Sequence, residues 1–408
     1  MSNLTLSYLP SDLDTLNISV SGSKSISQRV LIINYLMGIN TKILNLSNSF
    51  DTEILTNCLS SSKLNLNVYN SGTSLRFLIS LLAFKNKEVT LIGDDYLFQR
   101  PIQLLIDSLN NLGGNITRNR DSISVLKGNL TGGDLYFKSM KTSQFVSSIL
   151  LIAPYLRGGL NLHLPENNYS ESYIDMTLSI MKECGINFLR KKKTIFVPYG
   201  GYTKYYNSIE SDWTSVSYLF SSFLFSKLKL LTISTFDSVS VQPDSDLINF
   251  FILLGVRTSF DDNKIILKKD VEFPTPKKIK WNFKNNPDLC LTILTTCLGL
   301  GIDLEATGIE TLKYKESDRI QSMKNELLKF NSKLVIKSPD ELFLKVNRSV
   351  QKEKLITIDT YNDHRIALSF SILVFLGFKL KINNSAVINK SYPDFFTDLI
   401  KFGVLIQK

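Results

Sequence analysis

Eight basic residues of this 408-residue chain stand beside hydroxyl or amide side chains, at turns or in expected first helical turns. They are Lys24, Arg29, Arg76, Arg100, Lys315, Arg319, Arg365 and Lys390. Guanidinium groups bind phosphate and carboxylate through paired hydrogen bonds, whereas an ammonium group acts as a point charge. For any one cation alone, a surface salt bridge is the more common role. Their clustering at helix starts favours a site for two multiply charged anions.

Two carboxylates accompany these cations. Asp288 follows a proline, and Glu316 lies in the segment Lys-Glu-Ser-Asp-Arg at residues 315–319. Acids are common in the first turn of a helix for structural reasons alone, because they face the positive end of its dipole. In an electropositive site, however, either carboxylate could move a proton, and the surrounding cations would set its pKa. His364 is flanked by an aspartate and an arginine, which favours a role at the same site.

Six expected helix starts carry these residues. Each joins polar or charged side chains to an apolar stretch, at residues 24–25, 70–73, 142–144, 210–212, 286–288 and 362–365. A helix N-terminus leaves backbone N–H groups unpaired and carries partial positive charge. Several such ends aimed at one point would bind an anion before any cation is added. The chain is therefore expected to be built around small anionic molecules.

An internal repeat follows from the spacing of the helices. After the first interval the apolar helices recur roughly every 70 to 75 residues. A second, amphipathic helix is expected in each unit, at residues 51–59, 101–112, 173–184, 245–254, 319–330 and 394–402. Strands are expected at residues 87–92, 122–126, 194–198, 229–234 and 264–267. The pattern predicts an α/β protein with six units in two pseudo-symmetric lobes and a ligand cleft between them.

Composition narrows the class of protein. The net charge of +10 suggests acidic partners, but no long basic stripe with interleaved aromatic residues indicates nucleic-acid binding. The four cysteines are scattered without a Cys-x-x-Cys pair, and two histidines cannot form a His-rich metal site. Walker and dinucleotide-binding motifs are absent, as are a signal peptide and an apolar run long enough to span a membrane. We therefore expect a cytoplasmic protein with reduced thiols, no membrane or nucleic-acid partner and no bound metal.

At its site residues the chain resembles the 5-enolpyruvylshikimate-3-phosphate synthases, the enolpyruvyl transferase family of the shikimate pathway. The resemblance extends almost end to end. It is carried by Gly22–Ser25 to Arg29, Asn70–Arg76, Gln99–Ile102, Thr142–Phe145, Ser170 with Tyr173–Asp175, Asp288, Lys315–Arg319, Tyr361–Arg365 and Lys390–Asp394. The segments Lys-Glu-Ser-Asp-Arg and Tyr-Asn-Asp-His-Arg are individually specific, and they occur here in the family's order.

The resemblance implies a fold and a domain organisation. The fold is a two-lobed inverted α/β barrel of the enolpyruvyl transferase type, with six repeated α/β subdomains, three in each lobe. Residues 1–20 and 213–408 would form a discontinuous lobe with the phosphoenolpyruvate and catalytic loops. Residues 21–212 would form an inserted lobe on the shikimate 3-phosphate side. The active site would lie in the cleft between the lobes.

The resemblance also implies a reaction and its binding residues. The family joins phosphoenolpyruvate to the 5-hydroxyl of shikimate 3-phosphate and releases phosphate, on the pathway to chorismate and aromatic amino acids, without a metal or organic cofactor. The residues implied for phosphoenolpyruvate are Lys24, Asn70, Gly72, Arg100, Gln144, Arg319, His364, Arg365 and Lys390. Those implied for shikimate 3-phosphate are Lys24, Ser25, Arg29, Thr142, Ser143, Gln144, Ser170, Tyr173, Asp288 and Lys315. A monomer is expected.

Three of these residues are expected to be catalytic. Asp288 would accept the proton of the 5-hydroxyl, and Glu316 would serve the methylene carbon of phosphoenolpyruvate. Lys24 would stabilise charge and relay a proton. Two carboxylates in different environments can divide such proton traffic between addition and elimination. His364 is expected to orient its neighbours.

Two alternatives remain open. The first is a UDP-N-acetylglucosamine enolpyruvyl transferase, which shares the fold but characteristically has a cysteine in the mobile loop before its Arg-Pro segment. The corresponding stretch here, Gly93–Arg100, contains no cysteine. The second is a non-catalytic anion-binding protein, whose affinity for polyanions should fall steeply with salt. Retention of Lys24, Asp288, Glu316 and Arg365 together counts against this second alternative.

Overall fold

Two compact units make up the chain. The computed structural model describes residues 3–10, 13–138, 142–166, 171–270, 272–347 and 354–408. The discontinuous unit combines Met1–Ser21 with Glu210–Lys408, and the inserted unit is Gly22–Ile209. Within the described ranges, no helix has both the length and the apolar character needed to cross a bilayer.

The helices fall where the apolar spacing predicts them. They are α1 (Lys24–Met37), α2 (Phe50–Ser60), α3 (Gly72–Phe84), α4 (Asp95–Gln99), α5 (Gln103–Asn111), α6 (Gln144–Ile152), α7 (Glu171–Glu183), α8 (Trp213–Phe225), α9 (Leu247–Ile252), α10 (Cys290–Leu300), α11 (Arg319–Leu328), α12 (His364–Ser371) and α13 (Phe395–Lys401). Both predicted sets of helices are confirmed, with ends that shift by a few residues. The short helix α4 is an addition to them.

The strands are short and number from β1 to β20 along the described chain. They are β1 (Leu4–Tyr8), β2 (Thr15–Ser19), β3 (Asn65–Asn67), β4 (Val89–Ile92), β5 (Asn115–Arg118), β6 (Ser122–Leu126), β7 (Gly133–Tyr136), β8 (Leu160–His163), β9 (Leu189–Lys191), β10 (Thr194–Val197), β11 (Leu230–Ser234), β12 (Val256–Asp261), β13 (Lys264–Lys269), β14 (Lys278–Asn282), β15 (Asp303–Thr307), β16 (Lys333–Ser338), β17 (Glu341–Lys345), β18 (Leu355–Ile358), β19 (Lys379–Ile382) and β20 (Val404–Gln407). The five predicted strands correspond to β4, β6, β10, β11 and β13.

One sheet topology recurs through both units. The inserted unit has the sheets β3-β4-β6-β5 and β7-β8-β10-β9, and the discontinuous unit has β2-β11-β13-β12, β14-β15-β17-β16 and β18-β19-β1-β20. In each of these orders the first two strands are parallel and the remaining neighbours are antiparallel. Among the described residues every one of these sheets is open, with two edge strands.

The helix pair α1 and α2 departs from this regularity. Among the described residues it is accompanied by one isolated parallel bridge, between Leu44 and Ser208, where the other pairs have a four-stranded sheet. Helix spacing alone predicted equal units, because the apolar pattern of a helix says nothing about how many strands pair beside it.

Helices α6 and α12, which begin at candidate site residues, are among the most buried ones. Every residue of α6 from Phe145 to Ile152 is buried, and so is every residue of α12. In the inserted unit α3 packs against α6 and α1, and in the discontinuous unit α10 packs against α8 and α12. Helices that are apolar on all sides belong at the centre of a unit. Their N-termini are thereby fixed by the core of each unit.

Small hydroxyl side chains join these buried helices. Ser221 and Thr296 hydrogen-bond between α8 and α10 at 2.7 Å. Ser217 donates to Thr292 at 3.1 Å across the same interface. A buried hydroxyl needs a partner, and small residues let helix backbones approach closely. This explains why the apolar stretches contain so many serines and threonines.

The cysteines are all reduced and buried, as predicted: Cys58, Cys184, Cys290 and Cys297. Burial raises the pKa of the Cys58 thiol to about 11 and that of Cys184 to about 12. The same cause raises the pKa of Cys290 and Cys297 still further. A thiol that stays protonated is a poor nucleophile, so these residues serve the core.

Candidate active site

In the inserted unit, three helix N-termini present candidate residues. Helix α1 begins at Lys24, and Ser23 accepts a hydrogen bond from the backbone N–H of Ile26 at 3.4 Å as its cap. Helix α3 begins at Gly72 after the capping residue Ser71, and α6 begins at Gln144. The sequence folds this way locally because serine is a favoured N-cap and an apolar helical stretch follows. The remaining N–H groups of each first turn suit an anion.

Lys24 pairs with an aspartate that was not among the predicted site residues. Its Nζ lies 3.3 Å from Oδ2 of Asp51, whose side chain is only 3% exposed. Asp51 lies in the first turn of α2, and its backbone carbonyl accepts a hydrogen bond from Gln28 of α1 at 3.0 Å. Asp51 therefore positions the Lys24 ammonium group from the neighbouring helix.

Arg29 is buried, and it donates hydrogen bonds to uncharged hydroxyl and carbonyl oxygens. Its Nε donates to Thr177 Oγ1 at 2.7 Å, its Nη1 to the carbonyl of Ser25 at 2.7 Å, and its Nη2 to Ser147 Oγ at 3.2 Å and the carbonyl of Tyr173 at 3.3 Å. Among the described residues, no carboxylate forms an ion pair with it. Burial therefore lowers the pKa of Arg29 to about 10. A buried cation without a counter-charge is suited to an anionic ligand.

Arg76 joins three segments of the predicted site. Its guanidinium donates to the carbonyl of Gly72 at 2.9 Å, to Oε1 of Gln144 at 2.9 Å and to the carbonyl of Pro101 at 2.8 Å. A Cβ on Gly72 would come within 2.7 Å of guanidinium nitrogens of both Arg76 and Arg100, so a larger residue there would displace these two side chains. Arg76 was counted among the eight cations but was not among the predicted binding residues.

The remaining candidates of this unit surround these groups. Gln144 also donates to Thr73 Oγ1 at 3.0 Å, and its backbone N–H donates to Thr142 Oγ1 at 3.3 Å. Ser143 is buried, Ser25 and Tyr173 are half-buried, and Asn70 is exposed. The predicted residue Ser170 lies outside the described residues.

In the discontinuous unit, Asp288 lies among three cations. Its Oδ1 is 2.9 Å from Arg319 Nη1 and 3.2 Å from Lys315 Nζ, and its Oδ2 is 3.0 Å from Arg365 Nη2. Burial alone would raise the pKa of this carboxyl, but Arg365, Lys315 and Arg319 outweigh burial and hold it well below its usual range. Asp288 is therefore ionised at neutral pH.

Arg319 is the centre of the carboxylate network. Besides Asp288, its Nη2 donates to Glu316 Oε2 at 2.8 Å and its Nε to Asp363 Oδ2 at 2.8 Å. The Arg319 side chain is 1% exposed and that of Asp363 is fully buried. Burial acts to lower the pKa of Arg319, but Asp363, Glu316 and Asp288 raise it above its ordinary value. The two predicted carboxylates, Asp288 and Glu316, thus share one guanidinium.

The other candidates of this unit complete the cluster. Lys390 Nζ lies 3.8 Å from Glu316 Oε1, and burial lowers the pKa of Lys315. His364 is buried, with Nδ1 3.8 Å from Asp363 Oδ1. Asp363 also caps α12, because its Oδ1 accepts the backbone N–H of Arg365 at 3.0 Å. Sequence reasoning named Asp363 only as a neighbour, although its position before an apolar helix is an N-cap signal.

A further buried acid, Asp244, was not predicted. It lies in the 3-10 turn Pro243–Asp246 and accepts a hydrogen bond from Thr214 in the first turn of α8. Burial, reinforced by the charge of Asp288, raises the pKa of Asp244 to about 7. From the sequence, no role was assigned to this aspartate.

Chemically, the two clusters offer anion binding and proton transfer. Within the described ranges, no three histidine, cysteine or acidic side chains come together as a metal ion requires. The inserted unit offers guanidinium, ammonium and helix N-termini, and the discontinuous unit has carboxylates held by cations. Such a set can bind phosphate and carboxylate groups and can exchange protons with a bound substrate.

Comparison with known proteins gives consistent matches. The sequence profile described as EPSP synthase (3-phosphoshikimate 1-carboxyvinyltransferase) matches residues 56–399. The 3-phosphoshikimate 1-carboxyvinyltransferase of Bacteroides fragilis (strain YCH46) is 32% identical over 395 residues, which cover 96% of each chain. The protein of that name from Buchnera aphidicola subsp. Cinara cedri (strain Cc) is 30% identical over 427 residues, with 96% of each covered. A solved EPSP synthase from Acinetobacter baumannii shares the mixed α/β fold, with a TM-score of 0.74 at 17% identity over 100% of both chains.

Proposed function

The chain belongs to the EPSP synthase family, and we propose that it transfers the enolpyruvyl group of phosphoenolpyruvate to the 5-hydroxyl of shikimate 3-phosphate, releasing phosphate. The reaction is the step of the shikimate pathway that leads towards chorismate and the aromatic amino acids. The observation that carries the proposal is the sharing of Arg319 by Asp288 and Glu316, at 2.9 and 2.8 Å. Addition followed by elimination needs two proton-transferring groups beside cations that bind phosphate and carboxylate.

Residues of both units hold the substrates in this proposal. Phosphoenolpyruvate is bound by Lys24, Asn70, Gly72, Arg100, Gln144, Arg319, His364, Arg365 and Lys390. Shikimate 3-phosphate is bound by Lys24, Ser25, Arg29, Thr142, Ser143, Gln144, Ser170, Tyr173, Asp288 and Lys315. The support is the family membership together with the charge of each cluster. Arg29, buried without a carboxylate, is suited to the dianionic phosphate of the acceptor.

The proton traffic follows from the two carboxylates. The 5-hydroxyl oxygen attacks C2 of phosphoenolpyruvate and loses its proton to Asp288, while Glu316, which enters this step protonated, supplies a proton to the methylene carbon. In the second step that carbon returns a proton to Glu316, the C2–O bond to phosphate breaks and the enol ether forms. Lys24 stabilises the departing phosphate and relays a proton. All atoms balance without a redox step.

In this proposal, the cations that bind substrate also control the pKa of Asp288, the general base. Asp288 is a weak base while Arg319, Arg365 and Lys315 hold its pKa low. When substrate carboxylate and phosphate groups take up part of the hydrogen-bonding capacity of these cations, their attraction for Asp288 weakens. The pKa of Asp288 then rises towards the range in which a carboxylate can accept a proton.

The finer architecture and the setting of the protein are part of the proposal. Six subdomains, three in each unit, form an inverted α/β barrel of the enolpyruvyl transferase type, supported by the sheet topology that recurs five times. The lobes are residues 1–20 with 213–408 and residues 21–212. The protein acts as a cytoplasmic monomer, without nucleic-acid or membrane partners.

The test is phosphate release by purified protein treated with a chelator. Phosphoenolpyruvate is supplied with shikimate 3-phosphate in one arm and with UDP-N-acetylglucosamine in the other. Release with the first acceptor alone supports the proposal. Release with the second alone makes the protein a UDP-N-acetylglucosamine enolpyruvyl transferase, and release with neither favours a non-catalytic anion-binding protein.

A further inference from the structure

The turn before Asp363 has an unusual backbone conformation. Tyr361 and Asn362 both lie in the left-handed region, with φ of 52° and 54°. Asparagine adopts this conformation readily, but a residue as bulky as tyrosine does so rarely. The turn is closed by the N–H of Asp363, which donates to the carbonyl of Thr360 at 2.8 Å. Because such a conformation persists only where its surroundings determine it, the contacts of this turn are informative.

The buried side chain of Glu326 hydrogen-bonds to the turn. The Tyr361 hydroxyl donates to Oε1 of Glu326 at 2.8 Å. The other oxygen of Glu326 accepts from Lys329 Nζ at 2.8 Å and from the backbone N–H of Asp359 at 3.2 Å. The Glu326 side chain is fully buried. Both of its oxygens are thus engaged, and two of the three donors belong to the turn or its approach.

Helix α11 contacts the turn at two points. Arg319 and Glu326 are seven residues apart, which places them on the same face of the helix. Arg319 Nε binds Asp363 at 2.8 Å just after the turn, and Glu326 binds Tyr361 within it. One helix therefore fixes both ends of the segment that leads to His364 and Arg365.

A second polar contact secures the opposite side of the turn. Asn384 Nδ2 donates to Oδ1 of Asn362 at 2.8 Å, and Asn383 Nδ2 donates to Oδ1 of Asp359 at 2.8 Å. These side chains hold the backbone in its strained form, but neither reaches the carboxylate network around Arg319. Helix α11 also reaches the approach to the turn at its C-terminal end, where Lys329 Nζ donates to Asp359 Oδ2 at 2.9 Å. Among the described residues, the contacts from this helix to the left-handed Tyr361 are those of its hydroxyl, with Glu326 at 2.8 Å and with Asn325 at 3.5 Å.

We infer that Glu326 is a positioning residue for the active site, which acts through the Tyr361 hydroxyl to fix Asp363 and Arg365. Without this hydrogen bond the strained turn relaxes, the cap at Asp363 shifts and the Arg365 guanidinium loses its place beside Asp288. The inference rests on the function proposed above, because its readout is the binding of phosphoenolpyruvate to Arg365. Shikimate 3-phosphate, held largely by the inserted unit, should be little affected.

The test compares two tyrosine variants that each lose a single hydroxyl. Tyr361→Phe removes the contact to Glu326, and because Tyr361 is 37% exposed the variant should fold. Tyr8→Phe is the matched control, since Tyr8 belongs to the same unit and its hydroxyl contacts the backbone of Lys227. We expect Tyr361→Phe to raise KM for phosphoenolpyruvate about fivefold, the value of one hydrogen bond, with KM for shikimate 3-phosphate within about twofold. Tyr8→Phe should change neither.

A conservative pair tests Glu326 itself. Glu326→Gln keeps an acceptor for the Tyr361 hydroxyl and should retain a lower KM for phosphoenolpyruvate than Glu326→Ala. An unchanged KM in Tyr361→Phe, or equal changes in both tyrosine variants, overturns the inference.

Failure of the proposed function would be seen separately, as absence of phosphate release by the unsubstituted protein. In that case amide hydrogen exchange is the readout. Faster exchange at His364–Ile366 in Tyr361→Phe than in Tyr8→Phe supports the positioning role, and equal exchange overturns it.

Discussion

The two units hold their buried arginines in opposite ways. In the inserted unit Arg29 donates to hydroxyl and carbonyl oxygens, and no carboxylate of the described residues pairs with it. In the discontinuous unit Arg319 donates to three carboxylates, so its charge is more than balanced. The first arrangement leaves charge available for a ligand, whereas the second uses charge to keep carboxylates ionised. In the proposed function, the first cluster binds substrate, whereas the second both binds substrate and transfers protons.

The largest effect is expected from replacing Asp288, the proposed proton acceptor of the discontinuous unit. Asp288→Asn should lower kcat about a thousandfold, because an amide cannot accept the 5-hydroxyl proton. Binding of shikimate 3-phosphate should remain measurable by calorimetry. The matched control is Asp318→Asn, an exposed acid that caps α11, for which less than a tenfold change is expected. Similar rates for the two variants would contradict the role of Asp288.

The next largest effect concerns stability. Arg319→Gln leaves Asp363 buried without its cation and should lower the free energy of unfolding by about 3–5 kcal/mol in urea titrations. Arg257→Gln is the control, since its pair with Asp270 spans 3.7 Å and its side chain is 81% exposed. That pair should contribute less than about 1 kcal/mol. Equal losses in both variants would show that the buried network does not carry the stability assigned to it.

Unlike the substitution of Arg319, a substitution of Arg29 should lower ligand affinity and have little effect on stability. Burial already disfavours its charged form, so Arg29→Gln should change the free energy of unfolding by less than about 1 kcal/mol, as lost hydrogen bonds and relieved desolvation offset each other. Affinity for shikimate 3-phosphate should fall more than tenfold, about 1.4 kcal/mol. Urea titration without ligand measures the first quantity, and the ligand-induced rise in melting temperature measures the second. A destabilisation as large as that of Arg319→Gln would remove the distinction between the units.

The smallest expected effect is a dependence of the free energy of unfolding on pH, which arises from Asp244 in the discontinuous unit. The folded-state pKa of Asp244 is raised from 3.8 to about 7, so between these values the unfolded chain ionises first and stability falls as pH rises. We expect a slope of roughly 1 kcal/mol per pH unit between pH 5 and 7. Asp244→Asn should flatten it.

Asp288 does not interfere with this measurement. Its pKa is depressed, so its contribution is present above the unfolded pKa near 4 and is lost only in stronger acid. Burial also raises the pKa of Glu210 and of Glu326, so the contribution of Asp244 is the difference in slope between the unsubstituted protein and Asp244→Asn, measured by thermal unfolding across pH 5–7. An identical slope in the Asp244→Asn variant would mean that another group carries the dependence.

The sequence was most informative where structure is local. Helix starts at Lys24, Gly72 and His364 were predictable because capping residues and apolar spacing lie within a few positions of each other. The candidate residues could be found because family motifs are also local. Thus Asp288, Glu316 and Arg319 were predicted, and in the structure they share one network.

Long-range pairing was what the sequence could not supply. Strand β1 lies beside β19, joining Leu6 to Leu380, and no nearby residue signals that partner. The hydrogen bond from Arg76 to the carbonyl of Pro101 is likewise between segments distant in the sequence, and so is the one from Lys24 to Asp51 on the next helix. Asp244 looked like a turn residue because its burial, which shifts its pKa, depends on the packing of distant segments.

The buried cysteines have a practical consequence. Two of them, Cys58 and Cys184, lie in the inserted unit, and the other two, Cys290 and Cys297, lie in the discontinuous unit. A thiol reagent can label such groups only when the surrounding core opens. The chain therefore carries its own chemical reporters, one pair in each unit, and mass spectrometry of labelled peptides can record which unit opens first without any engineered probe.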